Sequence, residues 1–94
     1  MRDDYNWEIE GIKLNIEYEK KKGEKELTGK RLTAYTIKAI REQTGMNRKE
    51  FADWLHIPYR TISDWEHEER QMPEYVLRLI AYKVRMEFIE KRGE

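Results

Sequence analysis

The sequence predicts an all-α fold, a small bundle of four to five helices with an extra N-terminal segment. Three observations point there. Phe51, Ala52, Trp54 and Leu55 recur at helical spacing and stop at His56-Ile57-Pro58. Ile62 and Trp65, three apart, start a second apolar face directly after that turn. The stretch from Pro73 to Lys91 is apolar along one broad side, with Glu74 near its positive end.

Bulk composition bounds the function. Ninety-four residues suffice for one domain with a modest core. Charged residues make up 40% and apolar residues 38%, but three Trp, six Tyr and two Phe supply core anchors that a disordered chain would lack. The absence of cysteine excludes disulfides and thiolate metal sites. His56 and His67 are too few and too scattered for a metal cluster, so no metal or cofactor is expected. No catalytic carboxylate pair, Ser/His pairing or Gly-rich phosphate loop stands out, and an enzyme is not expected. No run of 18 apolar residues exists and the N-terminus MRDDYNWEIE has no signal core, which predicts a soluble, cytoplasmic protein without a membrane partner.

Along the chain, residues 5–22 carry two patterns. Ile12, Leu14, Ile16 and Tyr18 alternate as on a half-buried strand. Tyr5, Ile9, Ile12 and Ile16 are spaced four, three and four, as on a helix, and Glu17 and Lys21 form a favourable i,i+4 pair. The expectation is a helix over 8–22. Residues 23–32 read as a charged linker, which divides the chain into an extension at 1–32 and a helical domain at 33–92. Thr33 is placed to cap a helix ending near Thr44, with Gly45 as the left-handed residue after it. Asn47 and Glu50 have the spacing of a capping box for the next helix. Ala52 is small enough for a close helix crossing. His56 stands where the turn requires positive φ, a conformation in which His is enriched among residues other than glycine. Pro58 suits the first position of a helix over 58–66. Residues 67–72 read as a polar loop.

Ala52, Ile57, Thr61, Ile62, Trp65 and Glu66 stand at the offsets of a known motif. The tail W-E-x-x-x-R-x-x-P, here Trp65, Glu66, Arg70 and Pro73, extends it. This region, about residues 33–84, resembles the Cro and phage-repressor-like (Xre) family. The resemblance implies a lambda-repressor-like bundle with a helix-turn-helix, acting as a DNA-binding transcriptional regulator of repressor or antitoxin-like type. It implies phosphate contacts from Asn47, Arg48 and Thr61, and base contacts from Tyr59 and Arg60 in the major groove. Ser63, Asp64 and His67 share the outer face, Asp64 as an acceptor for cytosine N4 or as a brace for Arg60. Glu66 is implied to bond within the fold.

The charge profile departs from that family. Net charge is zero, with seven basic and three acidic residues (+4) in 24–49 against two and seven (−5) in 50–74. Where the family has a Gly and basic residues after Trp-Glu, this chain has His67, Glu68 and Glu69. Lys30, Arg31, Lys38, Arg41 and Lys49 are candidates to restore positive potential. A second function therefore stays open, a protein-binding inhibitor or antitoxin module on the same scaffold. The last helix carries more apolar surface than one stripe needs. Either a homodimer forms through the C-terminal helix or the N-terminal segment and reads an inverted repeat, or the N-terminal segment covers the surplus within one chain.

Overall fold

The computed structural model describes residues 2–90. Two strands come first, β1 (Arg2–Ile9) and β2 (Ile12–Glu19), followed by α1 (Gly29–Thr44), α2 (Arg48–Leu55), α3 (Tyr59–Glu66) and α4 (Glu74–Val84). A π-helical segment, Arg85–Glu90, continues α4.

The all-α expectation is therefore wrong at the N-terminus. The helix expected over 8–22 is an antiparallel two-stranded sheet, in register Ile9↔Ile12, Trp7↔Leu14 and Tyr5↔Ile16. The reason is burial. A helix would bring only every third or fourth residue inward, whereas the strand turns Ile12, Leu14, Ile16 and Tyr18 together onto one face, each at most 5% exposed. Tyr5, Trp7 and Ile9 alternate in the same way on β1 and pack against the same core. Glu10 and Gly11 form the two-residue turn, both at positive φ (46° and 84°), the backbone that matches strand twist in a hairpin. The Arg85 guanidinium lies 2.8 Å from where a Cβ on Gly11 would stand.

Helix α1 begins five residues earlier than the sequence suggests. Thr28, not Thr33, is its N-cap, and the Thr33 hydroxyl donates to the carbonyls of Gly29 and Lys30 inside the first turn. Leu27 is fully buried just ahead of it, so the expected linker is anchored to the core. At the other end Gly45 is left-handed at φ 77°, as expected.

One apolar core joins hairpin and helices. Ile37 and Ile40 from α1, Phe51 and Ala52 from α2, Ile62 and Trp65 from α3, and Leu77, Ile80 and Val84 from α4 meet the hairpin's inner face. Met72, in the loop expected to be polar, is also buried there. Trp54 is half-buried, stacked on Phe51 and met edge-on by Phe88 of the π-helical segment. The hairpin turn is fastened to α4, where Arg78 Nη1 donates to Glu10 Oε2 at 3.0 Å. The hairpin thus shares the core with α4, yet Tyr75, Leu79, Tyr82 and Met86 remain exposed as a stripe along the outside. No helix of the described residues is long and apolar enough to cross a membrane.

Candidate nucleic-acid interface

The α2–turn–α3 unit is built by local rules. Asn47 caps α2 in a complete capping box, its side chain accepting from the Glu50 amide (2.8 Å) while the Asn47 amide donates to Glu50 Oε1 (2.9 Å). His56 ends the helix in the left-handed region at φ 59°. The Ile57 amide then donates to the Ala52 carbonyl at 3.0 Å, closing the turn. Ala52 is 1% exposed, consistent with a crossing that admits only a small side chain. Pro58 is the N-cap of α3 and Tyr59 its first residue, one position later than expected. Proline offers no side-chain acceptor, so no side chain caps α3, and the amides of Thr61 and Ile62 both donate to the Pro58 carbonyl.

The buried side of α3 consists of Ile62 and Trp65. Tyr59 and Arg60 are exposed on the opposite side. Neither side chain has a hydrogen-bonding or charged partner among the described residues. Thr61 is half-buried beside them. Asp64 does not brace Arg60. It pairs instead with Arg70, at 3.6 Å.

A second group forms where α2 meets the end of α3. His67 Nδ1 donates to the Ser63 carbonyl at 2.7 Å and lies 3.3 Å from the Ser63 hydroxyl. That bond leaves Nε2 as the acceptor facing Arg48 Nη1 at 3.4 Å. Arg48 Nε is also 3.8 Å from Glu66 Oε1. Arg48, Ser63 and His67 are thus brought together, with Asn47 exposed next to Arg48. The Asn47 acceptor oxygen is occupied by the cap, which leaves its amide NH2 to donate outward.

Several charges counted as free in the sequence are committed inside the fold. Arg41 holds Glu66 through two bonds, Nε–Oε2 at 2.8 Å and Nη2–Oε1 at 3.1 Å, and its Nη1 donates to the Met46 carbonyl at 3.0 Å. The hydrogen bond to Glu66 raises the Arg41 pKa despite its partial burial. Arg31 is clasped by Glu24 at 2.9 Å and reaches Glu68 at 3.6 Å. Neither arginine is available as a phosphate arm, while Lys30, Lys38 and Lys49 are exposed. The same pairings turn two carboxylates of the acidic stretch inward, Glu66 against Arg41 and Glu68 toward Arg31, while Glu69 stays exposed. Glu68 also adopts positive φ, 64°, which marks a backbone position where a glycine would be at ease. Sequence offsets could not reveal the Arg31–Glu68 contact, because the two residues meet only once α1 and the loop are packed.

Comparison with known families matches a helix-turn-helix model to residues 37–82. That span begins in α1, contains all of α2 and α3, and ends in α4. Residues 37–82 match the helix-turn-helix family, of the Cro and Xre type. Helix-turn-helix is a DNA-binding domain family, and α3 is the second helix of the motif here. The hairpin precedes the matched span, so it is an addition to the helix-turn-helix domain. No curated protein and no solved structure gives a significant match.

Proposed function

We propose that the protein is a sequence-specific transcriptional regulator, a repressor or antitoxin-like autoregulator, that lays α3 in the major groove of an inverted repeat as a homodimer. The observation that carries this reading is the division of charge around α3. The outer face offers Arg60 and Tyr59 unpaired, while Glu66, Glu68 and Asp64 are each turned to an arginine. Arg60 reads a guanine edge, worth about 1–3 kcal/mol of discrimination, and Tyr59 packs beside it on a thymine methyl or a phosphate. Asn47, Arg48 and Thr61 hold phosphates, with Ser63 and His67 fixing the Arg48 guanidinium. Asp64, tied to Arg70, contributes at the far end of the helix.

The competing reading, a protein-binding inhibitor or antitoxin module, drew on the acidity of residues 50–74. With Asp64, Glu66, Glu68 and Glu74 each paired to an arginine of the chain, less of that charge is left to recruit a basic partner. Selection of bound duplexes from a random pool tests the two together. Recovery of an inverted repeat, with affinity that falls steeply with salt, is the expected result. No binding to any duplex at low salt would overturn the DNA reading in favour of the protein-binding one.

A further inference from the structure

The hairpin has two edges, and they differ. The β2 edge runs beside α1, across a groove of about 370 Å3 bordered by Asn15, Ile16, Tyr35 and Lys38. The β1 edge pairs with nothing among the described residues. The two-residue turn makes Ile9 and Ile12 the closing hydrogen-bonded pair, so Trp7, Tyr5 and Asp3 also bond to β2. The amides and carbonyls of Arg2, Asp4, Asn6 and Glu8 therefore point outward. In agreement, the Asp4 amide is met only by the carboxylate of its neighbour Asp3, at 2.8 Å. The strand is eight residues long, unbroken by proline, glycine or a bulge. Such an edge is a template for another strand unless its charges forbid it.

We infer that the β1 edge binds the β1 edge of a second copy, antiparallel about a two-fold axis at Tyr5, to make a continuous four-stranded sheet. Its charges and its length select that arrangement, since a register centred on Asp3, which also sets Arg2 against the partner's Asp4, overlaps only the first residues of the strand. Outward-facing positions must pair with each other, which leaves few registers. Centring on Asp4 opposes two aspartates, and centring on Asn6 sets Asp4 against the partner's Glu8. Centring on Tyr5 places Arg2, which also holds Glu17 of its own chain at 3.3 Å, opposite the partner's Glu8 at both ends, and Asp4 opposite the partner's Asn6. Tyr5, already edge-on to Trp7, then faces the partner's Tyr5. The exposed stripe of α4 is the rival surface for a second copy. An antiparallel mate there, with Leu79 on the partner's Tyr82 and Tyr75 on the partner's Met86, brings Arg78 alongside the partner's Arg85, each already paired with a carboxylate of its own chain, so that no ion pair is gained across the axis. The inference specifies the dimer contained in the proposed function and stands independently of DNA recognition.

Sedimentation equilibrium of the full chain without DNA tests it. Wild type dissociates from dimer to monomer on dilution. Arg2→Glu and Glu8→Arg each raise the dissociation constant at least tenfold, because each opposes like charges at both ends. Mixing the two variants restores a dimer, because every Glu then meets an Arg. Asn6→Pro, which removes an outward amide with no partner inside the chain, gives a monomer with unchanged helix content. A wild-type monomer at all concentrations overturns the inference, as does a dimer that ignores these changes and is dispersed by Leu79→Lys. Because the measurement contains no DNA, failure here leaves the duplex selection to judge the DNA reading separately.

Discussion

Arg41 and Glu66, twenty-five residues apart, are joined by hydrogen bonds of 2.8 and 3.1 Å that fasten α1 to the last turn of α3. The Glu66 side chain is 4% exposed and the Arg41 side chain 14%. Removing Arg41 leaves Glu66 only the longer contact with Arg48 at 3.8 Å, so the loss approaches but does not exceed the cost of a stranded buried charge, about 3–5 kcal/mol. Arg41→Ala should lower stability by about that amount in urea denaturation. Arg41→Lys should recover little of it, since one ammonium cannot reproduce the two-pronged bond.

On DNA, Arg60 and Arg48 should separate. Arg60→Ala is expected to lower affinity for the selected site by about 1–3 kcal/mol and to relax preference at one base. Arg48→Ala should weaken binding to all duplexes and reduce the salt dependence by about one counterion. Binding isotherms at two salt concentrations distinguish the two. Equal binding of wild type and Arg60→Ala would remove Arg60 from the base-reading role.

Glu68 sits at φ 64° with its carboxylate near Arg31. Glu68→Gly relieves a left-handed strain of about 1–2 kcal/mol for an L-residue, offset in part by glycine's own chain entropy and by the lost ion pair. Thermal stability should therefore change little or rise slightly. Affinity for DNA should rise, because a carboxylate beside the recognition helix is gone. A fall in affinity would show that Glu68 positions Arg31 for binding.

Gly11 has two reasons to be glycine, φ of 84° and the Arg85 guanidinium at 2.8 Å from a would-be Cβ. Gly11→Ala should cost about 1–2 kcal/mol from the backbone alone. The displaced Arg85 side chain should also loosen the seam between the hairpin turn and the C-terminal helix, visible as faster amide exchange in β1 and β2.

Glu24 links acid stability to the join between hairpin and α1. Its hydrogen bond from Arg31, and then that from the Lys21 amide, hold its pKa below the ordinary 4.5. The folded value is the lower one, so its contribution is present above the unfolded pKa and is lost as pH falls through the folded value. Stability should decline below about pH 4.5. In Glu24→Gln that part of the decline should be absent, and the variant should be less stable at neutral pH.

Most of the helix-turn-helix was legible because its determinants are local. The Asn47–Glu50 cap, the left-handed His56 and the spacing of Ile62 and Trp65 each act within a few residues. The hairpin was harder to read because residues 5–22 satisfy two periodicities at once. The i,i+4 pair of Glu17 and Lys21 favoured the helix by only a few tenths of a kcal/mol. Burying Leu14 and Tyr18 as well as Ile12 and Ile16 is worth several times more, and only the strand does so. The candidate site was legible in its outline, Tyr59 and Arg60 outward and Glu66 inward. Its charge state was not, because Arg31, Arg41 and Arg70 find their carboxylates across long separations in the chain or around a turn.

By itself, then, the sequence determined that two short helices meet at a tight turn, which residues of the second face inward, and which family the segment resembles. Tertiary structure decided that the N-terminus is a sheet, that α1 starts at Gly29, and which charges are spent inside the fold. The division follows from range. Caps, turns and periodicity are set by neighbours in the chain, whereas burial and ion pairing depend on what another element brings into contact.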